Sequence, residues 1–207
     1  MADQPLHSRF KNALIWGALA LALVTPLLVA TQSPYLASRQ PIYIAAGFAG
    51  ILALLLFLLQ PLLAGSLLPG LRPRASRMWH RATGSLILVS VVAHIGGLYL
   101  TSPPDTLDAL LLVSPTPFSV YGVVALWGLI ITALLVTLRQ KLPLRFLHWS
   151  ILHNTLAVVV VLSTVVHALL IEGTMGIASK WLTCGAVLTI TAWVLFDIRI
   201  RRPRRTR

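Results

Sequence analysis

The stretch MWHRATGSLILVSVVAHIGG at residues 78–97 decides how this chain folds, because it is mostly apolar and yet contains two histidines, His80 and His94. A second apolar stretch, LHNTLAVVVVLSTVVHALL at 152–170, contains His153 and His167. In both stretches the histidines are fourteen residues apart. Polar groups in a bilayer are costly and usually functional, so the repeated pair predicts a site as well as a fold.

The composition around these stretches is that of an integral membrane protein. Of 207 residues, 57% are hydrophobic and 11% are charged, whereas a soluble domain has about 25% charged residues. A membrane-spanning helix needs about 20 mostly apolar residues. Six segments are long enough: 13–31, 42–64, 80–101, 118–138, 149–171 and 177–197. We therefore predict an all-α, six-transmembrane-helix bundle at 13–197, with an N-terminal arm at 1–12 and a basic tail at 198–207.

The first apolar segment could also be a signal peptide, since Arg9 and Lys11 precede it. Its apolar run is longer than the usual about 7–15 residues of such a peptide, and no convincing small-residue cleavage site follows. We interpret it as a membrane span.

Lysine and arginine are distributed unevenly between the two sides of this six-span arrangement. Fifteen of the 17 fall on the side of both termini, and only Arg39 and Lys180 fall on the other. The fifteen are Arg9, Lys11, Arg72, Arg74, Arg77, Arg81, Arg139, Lys141, Arg145, Arg199, Arg201, Arg202, Arg204, Arg205 and Arg207. Basic loops stay on the cytoplasmic side, so we expect both termini in the cytoplasm. We expect the membrane itself to be a bacterial inner (plasma) membrane.

Several function classes are excluded by the same sequence. One cysteine, Cys184, allows neither an intramolecular disulfide nor an all-cysteine metal site. The net charge of +12 does not indicate nucleic-acid binding, because the basic residues lie between apolar segments rather than on one soluble face. No glycine-rich dinucleotide motif is present.

Helical geometry places the histidines in two layers. Fourteen residues of α-helix rise about 21 Å and end about 40° short of four full turns. Each pair therefore lies on nearly one face of its helix. The third and fifth segments run in the same direction, so His80 and His153 share the cytoplasmic level (the inner pair), and His94 and His167 share the opposite level (the outer pair).

Two facing imidazoles are suitable axial ligands for a b-type haem held between helices. We predict two haems b, with His80 and His153 binding the inner haem iron and His94 and His167 the outer one. No C-x-x-C-H motif is present, so the haems would be bound non-covalently. Such a stack would conduct electrons through a medium that excludes ions.

Other interpretations of these histidines remain open. A single membrane histidine is often only a hydrogen-bonding member of a bundle. A metal transporter would also use histidines, but it would want carboxylates along its path, and the spans are nearly free of them. His148 is an alternative ligand if the fifth helix starts later than expected, and His7 is read as a solvated residue of the arm.

The stretch HRATG opening the third segment, His94, and the stretch containing His153 and His167 resemble the ferric reductase-like transmembrane family. This group includes ferric reductases, the membrane part of NADPH oxidases and the haem subunit of the bacterial periplasmic methionine sulfoxide reductase system. The resemblance implies the same inner and outer haem ligation. It also implies electron flow from cytoplasmic flavin or nicotinamide, through both haems, to an outer acceptor such as ferric chelate, dioxygen or a partner oxidoreductase.

The sequence departs from most of that family at its end, DIRIRRPRRTR, where ferric reductases and NADPH oxidases usually continue into a flavin and nicotinamide domain. We therefore expect an oxidoreductase component whose flavin (FMN or FAD) is loosely bound or comes with a separate cytoplasmic reductase, or whose donor is quinol, or which is the membrane half of something longer. The alternatives are a haem-binding membrane anchor fed by quinol for a periplasmic reductase, and a histidine-lined metal transporter.

Further residues are candidates for haem contacts. Arg81, with Arg74 and Arg77, lies at the level of the inner haem and could bind its propionates, and Tyr99 could serve the outer haem. Glycines that would let a flat ring approach the backbone are Gly84, Gly96, Gly97 and Gly173. Trp79 and Trp149 are interpreted as interfacial anchors.

Overall fold

The computed structural model describes the backbone of residues 6–200 and the side chains of residues 8–197. All regular structure in this part of the chain is helical. The helices are α1 (Leu6–Thr31), a short 3-10 turn (Pro34–Leu36), α2 (Pro41–Gly65), α3 (Pro73–Thr101), α4 (Pro103–Leu110), α5 (Pro117–Thr137), α6 (Phe146–Leu170) and α7 (Ile177–Ile200).

The predicted fold class is confirmed. Six of these helices, α1, α2, α3, α5, α6 and α7, are long and apolar enough to cross a membrane. The chain is thus a multi-pass membrane protein. Helix α4 was not predicted from the sequence. It has eight residues, too few for a span, and it lies in the connection between α3 and α5.

Several helices begin before the apolar segment that predicts them. Helices α2, α3, α4 and α5 each start at a proline, which suits a first helical position because its missing N–H has no helical partner there. Helix α3 consequently begins at Pro73, seven residues before His80. Helix α6 begins at Phe146, three residues before the predicted span.

The bundle consists of two helical hairpins and two further helices. Helix α2 packs closely along α3, and α5 packs closely along α6. Helix α7 contacts α2 and α6, and α1 contacts α2 and α7. The core is centred on α2, where Leu54, Leu55 and Leu58 are buried. Helices α3 and α6 are not a closely packed pair, and an aromatic contact between them joins His80 and His153.

Candidate functional site

The four predicted histidines lie at equivalent positions in α3 and α6. His80 and His153 are each the eighth residue of their helix, and His94 and His167 are each the twenty-second. The rings of the inner pair are 6.4 Å apart, centroid to centroid, and their planes are inclined by 70°. His94 and His167 lie fourteen residues further along the same two helices. The structure therefore brings the inner pair together, and it places the two outer histidines at equivalent positions in α3 and α6.

Three of the four rings are held by the backbone of a neighbouring helix. The Nδ1 atom of His94 lies 2.8 Å from the carbonyl oxygen of Ala46 in α2, and that of His167 lies 2.8 Å from the carbonyl oxygen of Phe118 in α5. The Nδ1 atom of His80 lies 3.2 Å from the Gln60 carbonyl oxygen in α2. A carbonyl oxygen only accepts, so Nδ1 donates in each bond. In a neutral ring this leaves Nε2 with its lone pair free to bind a metal.

Two glycines make room for the outer rings. A Cβ atom on Gly50 would lie 2.9 Å from His94 Nδ1, and one on Gly122 would lie 2.8 Å from His167 Nδ1 and Cε1. Each glycine is four residues after the residue whose carbonyl accepts the histidine bond, Ala46 or Phe118. The same arrangement thus occurs on α2 and on α5: a backbone carbonyl that accepts from the histidine ring is followed one turn later by a residue with no side chain.

These are not the glycines that the sequence suggested for close approach. A Cβ on Gly96 would meet nothing within 4 Å, and one on Gly97 would collide with Ala46 Cβ at 2.7 Å, which is packing between α3 and α2. A Cβ on Gly173 would meet only its neighbour Ile171. Gly84 lies against the Gln60 side chain.

Gln60 is a site residue that sequence reasoning missed. Besides accepting from His80, it donates from Nε2 to the His80 carbonyl oxygen at 3.2 Å and to Thr83 Oγ1 at 2.9 Å. The side chain and the backbone of Gln60 are therefore both hydrogen-bonded to the turn of α3 that contains His80 and Thr83. The available signal was that Gln60 is the one strongly polar side chain within the apolar run of α2, where such groups are costly.

His153 is held differently from the other three histidines. Its Nδ1 atom is buried and has no hydrogen-bond partner. Its ring stacks on Trp149, with centroids 5.2 Å apart and planes inclined by 7°. The Trp149 indole in turn donates from Nε1 to the Leu135 carbonyl oxygen of α5 at 3.3 Å. Trp149 was predicted as an interfacial anchor and not as a partner of His153.

The remaining candidates lie around these pairs. Arg81 follows His80 in α3, and His148 lies near the start of α6. Both side chains are exposed. Because α6 begins earlier than predicted, the late start that would have favoured His148 as a ligand does not occur. His7 lies outside the described side chains.

Of the two basic residues that were expected on the side opposite the termini, Arg39 has its guanidinium 4.8 Å from the Tyr43 ring centroid. The buried Lys180 donates to the Ile171 carbonyl oxygen, just after α6. Tyr99 lines an apolar cleft of about 390 Å³ between α3, α4 and α5, together with Thr106 and Leu126. Within the described residues, no group of three or more His, Cys, Asp and Glu side chains could hold a metal ion. The histidine pairs thus offer two protein ligands each.

Comparison with known families agrees with this architecture. The model of the family described as ferric reductase like transmembrane component matches residues 49–164. The matched region contains His80, His94 and His153 and ends three residues before His167. No curated protein and no solved structure matches the chain significantly. Since the family match spans more than half of the 207 residues, the chain belongs to the ferric reductase-like transmembrane component family.

Proposed function

We propose that this protein carries electrons across a membrane through two b-type haems, one held by the inner pair, His80 and His153, and one by the outer pair, His94 and His167. Membership of the ferric reductase-like family suggests transmembrane electron transfer. The observation that carries the proposal is the orientation of the rings. Three of the four histidines donate from Nδ1 to a backbone carbonyl, the arrangement that fixes the tautomer and orientation of metal-binding imidazoles.

The separation of the inner pair supports the same proposal. Metal–imidazole bonds are about 2 Å long, as for zinc, and a five-membered ring with bonds of about 1.33 Å has a radius of about 1.1 Å. Two imidazoles that shared one metal atom would then have centroids at most about 6.2 Å apart, and the 6.4 Å between His80 and His153 is close to the room that one metal atom would need. Edge-on aromatic contacts also occur at about 4.5–7 Å. The centroid distance therefore supports the proposal only together with the Nδ1 bond that orients the His80 ring.

Each residue of the site would have a defined part in this activity. Bound haem would supply an iron that takes up and releases one electron at a time. The carbonyl groups of Ala46 and Phe118 orient the outer ligands, and the backbone and side chain of Gln60 orient His80 and its helix turn. The two levels are about 21 Å apart along the helix, and the apolar helices around them exclude ions and water. Arg81 is the candidate partner for an inner haem propionate.

The direction of transfer is inferred from charge. We place the end of the bundle with the inner pair in the cytoplasm, because fifteen of 17 Lys and Arg residues fall on that side of a six-span arrangement. The donor would be a cytoplasmic flavin-containing reductase using NAD(P)H, with quinol as the second candidate. The acceptor would lie on the periplasmic side of a bacterial inner membrane and would be ferric chelate, dioxygen or a partner oxidoreductase.

Two other functions remain as alternatives, and both are less well supported. A metal transporter needs exchangeable ligands along a path, but the described carboxylates Asp105, Asp108, Glu172 and Asp197 lie at or beyond the ends of the membrane-spanning helices. A membrane anchor for a periplasmic reductase, fed by quinol, would use the same haems and would differ only in its donor.

Transmembrane electron transfer can be tested in vesicles. Purified protein is reconstituted with ferricyanide trapped inside, and the impermeant reductant dithionite is added outside. We expect the trapped ferricyanide to be reduced in vesicles with wild-type protein and with His148→Ala, since His148 is exposed and outside both pairs. With His167→Ala the rate should fall to that of protein-free vesicles. Equal rates in wild-type and protein-free vesicles would overturn the proposal.

A further inference from the structure

Each of the four histidines is connected to a helix other than its own, but His153 is connected indirectly. His80 and His94 in α3 donate to carbonyl groups of α2, and His167 in α6 donates to a carbonyl group of α5. His153 has no such bond. Something else must fix the rotation of its ring, because a side chain without a hydrogen bond is held only by packing.

Trp149 connects His153 to α5. Its indole is nearly parallel to the imidazole, at 7° and 5.2 Å, and is itself anchored by the bond from Nε1 to the Leu135 carbonyl oxygen. Leu135 lies in the last turn of α5, where carbonyl groups lack partners within the helix. Helix α5 thus restrains both histidines of α6, one directly through Phe118 and one through Trp149.

Trp149 also has contacts besides the one with His153. Phe146 stacks on Trp149 with centroids 6.3 Å apart and planes inclined by 26°. The Arg139 guanidinium lies 5.5 Å from the Trp149 ring centroid, a distance at which a cation is attracted to an indole face. Phe146, Trp149 and His153 follow one another along one face of α6, at the three- and four-residue spacings of helix neighbours. The indole therefore has contacts on several sides and little freedom to rotate.

We propose that Trp149 is the positioning residue of His153, which by stacking sets the plane of this ligand and with it the 70° angle between the two inner imidazoles. The inference rests on the proposed binding of a haem between His80 and His153. Trp149 does not touch the iron in this account. It replaces, for one ligand of four, the carbonyl that orients the other three.

The angle between axial imidazole planes can be measured. In low-spin ferric haem, steeply inclined planes give a larger maximal g value in electron paramagnetic resonance than parallel planes do. The inner haem of wild-type protein should therefore have a large maximal g value. The spectrum is recorded on the full chain and again with His94→Ala, so that the contribution of the inner haem is isolated.

Two variants of Trp149 distinguish an effect of ring stacking from an effect of side-chain volume. Trp149→Phe keeps a flat ring against His153, and we expect a maximal g value close to that of wild type. Trp149→Leu removes the ring plane, and we expect a lower or split maximal g value with the inner haem still bound. Trp79→Leu is the matched control, because Trp79 adjoins His80 in sequence while its indole stacks on neither inner histidine. It should leave the signal unchanged.

The outcomes distinguish this inference from the proposed function. Wild-type protein without an inner low-spin haem would overturn both. A haem signal that is identical in wild type and Trp149→Leu would overturn the role of Trp149 alone, as would an equal change in Trp149→Phe and Trp149→Leu. If Trp149→Leu yields no folded protein, Trp149→Met is measured instead and interpreted in the same way.

Discussion

His167 in α6 donates from Nδ1 to the carbonyl oxygen of Phe118 in α5 at 2.8 Å. The same bond, at the same length, joins His94 in α3 to Ala46 in α2. In both cases a glycine one turn further along the accepting helix leaves space for the ring. The two hairpins, α2 with α3 and α5 with α6, thus orient the outer histidines in the same way, by a carbonyl that accepts from Nδ1 and a glycine one turn after it.

The glycines of this arrangement should be specifically required at the outer pair. In Gly122→Ala the new methyl group would lie 2.8 Å from the His167 ring, so the ring must move or α5 and α6 must separate. We expect haem content to fall from two to one per chain, with the inner haem retained, and Gly50→Ala to act likewise through His94. Haem extraction and absorption spectra measure this. Gly185→Ala is the control, since a Cβ there meets nothing within 4 Å. Full occupancy in both test variants would contradict the role of the glycines.

Removal of an outer ligand should affect one haem only. The outer histidines are about 21 Å along the helix from the inner ones, so His94→Ala or His167→Ala should abolish the outer haem and leave the inner one reducible from the cytoplasmic side. Redox titration in inside-out vesicles distinguishes the outer haem from the inner haem. If either change removed only the haem nearest the cytoplasm, the inferred orientation would be wrong.

The Gln60 side chain should contribute to stability as well as to the inner site. Gln60→Leu keeps the backbone carbonyl that accepts from His80 but loses the Nε2 bonds to the His80 carbonyl and to Thr83 Oγ1. At about 0.5–1.5 kcal/mol for each net hydrogen bond, we expect unfolding in detergent to become easier by roughly 1–3 kcal/mol. Denaturant titration measures the change. Gln32→Leu, at an exposed residue, should have little effect, and an equal loss there would remove the argument for a specific effect of the Gln60 hydrogen bonds.

The rate of haem reduction should depend on salt if the donor docks on the cytoplasmic side, where fifteen Lys and Arg residues are expected. Anionic lipid already accounts for part of this charge, at about 1 kcal/mol for each basic residue near the surface. A reductase docked by charge would in addition be screened, because the Debye length falls from about 10 Å at 0.1 M to about 3 Å at 1 M salt. Haem reduction by NAD(P)H and a soluble flavin reductase should therefore slow with ionic strength in inside-out vesicles. Efficient reduction by quinol, with none from the flavin reductase at any salt, would exclude this donor.

The spans and the two histidine layers were predictable because both depend on local features. Hydropathy sets where a helix crosses the membrane, and helix periodicity sets which of its residues share a face. The parts that hold the rings depend on which helix packs beside which. The carbonyl groups of Ala46 and Phe118 have no side-chain signature, and Gly50 and Gly122 resemble ordinary packing glycines until their neighbours are known.

Trp149 illustrates the same limit. Its position near the start of an apolar helix predicts an interfacial anchor, and nothing in the sequence distinguishes it in this respect from Trp79. Only the contact with His153 and the bond to Leu135 separate the two. The short helix α4 was missed for a related reason, since eight residues between two spans carry too little periodicity to be recognised.

The most direct test of this account is the number of haems bound by each chain. The purified wild-type protein is assayed for haem by extraction and for protein by amino-acid analysis, alongside a variant in which His80, His94, His153 and His167 are all alanine. We predict two non-covalent haems b in the wild type and none in the variant. A wild type that binds no haem would contradict the account, and a single haem would remove either the inner or the outer site.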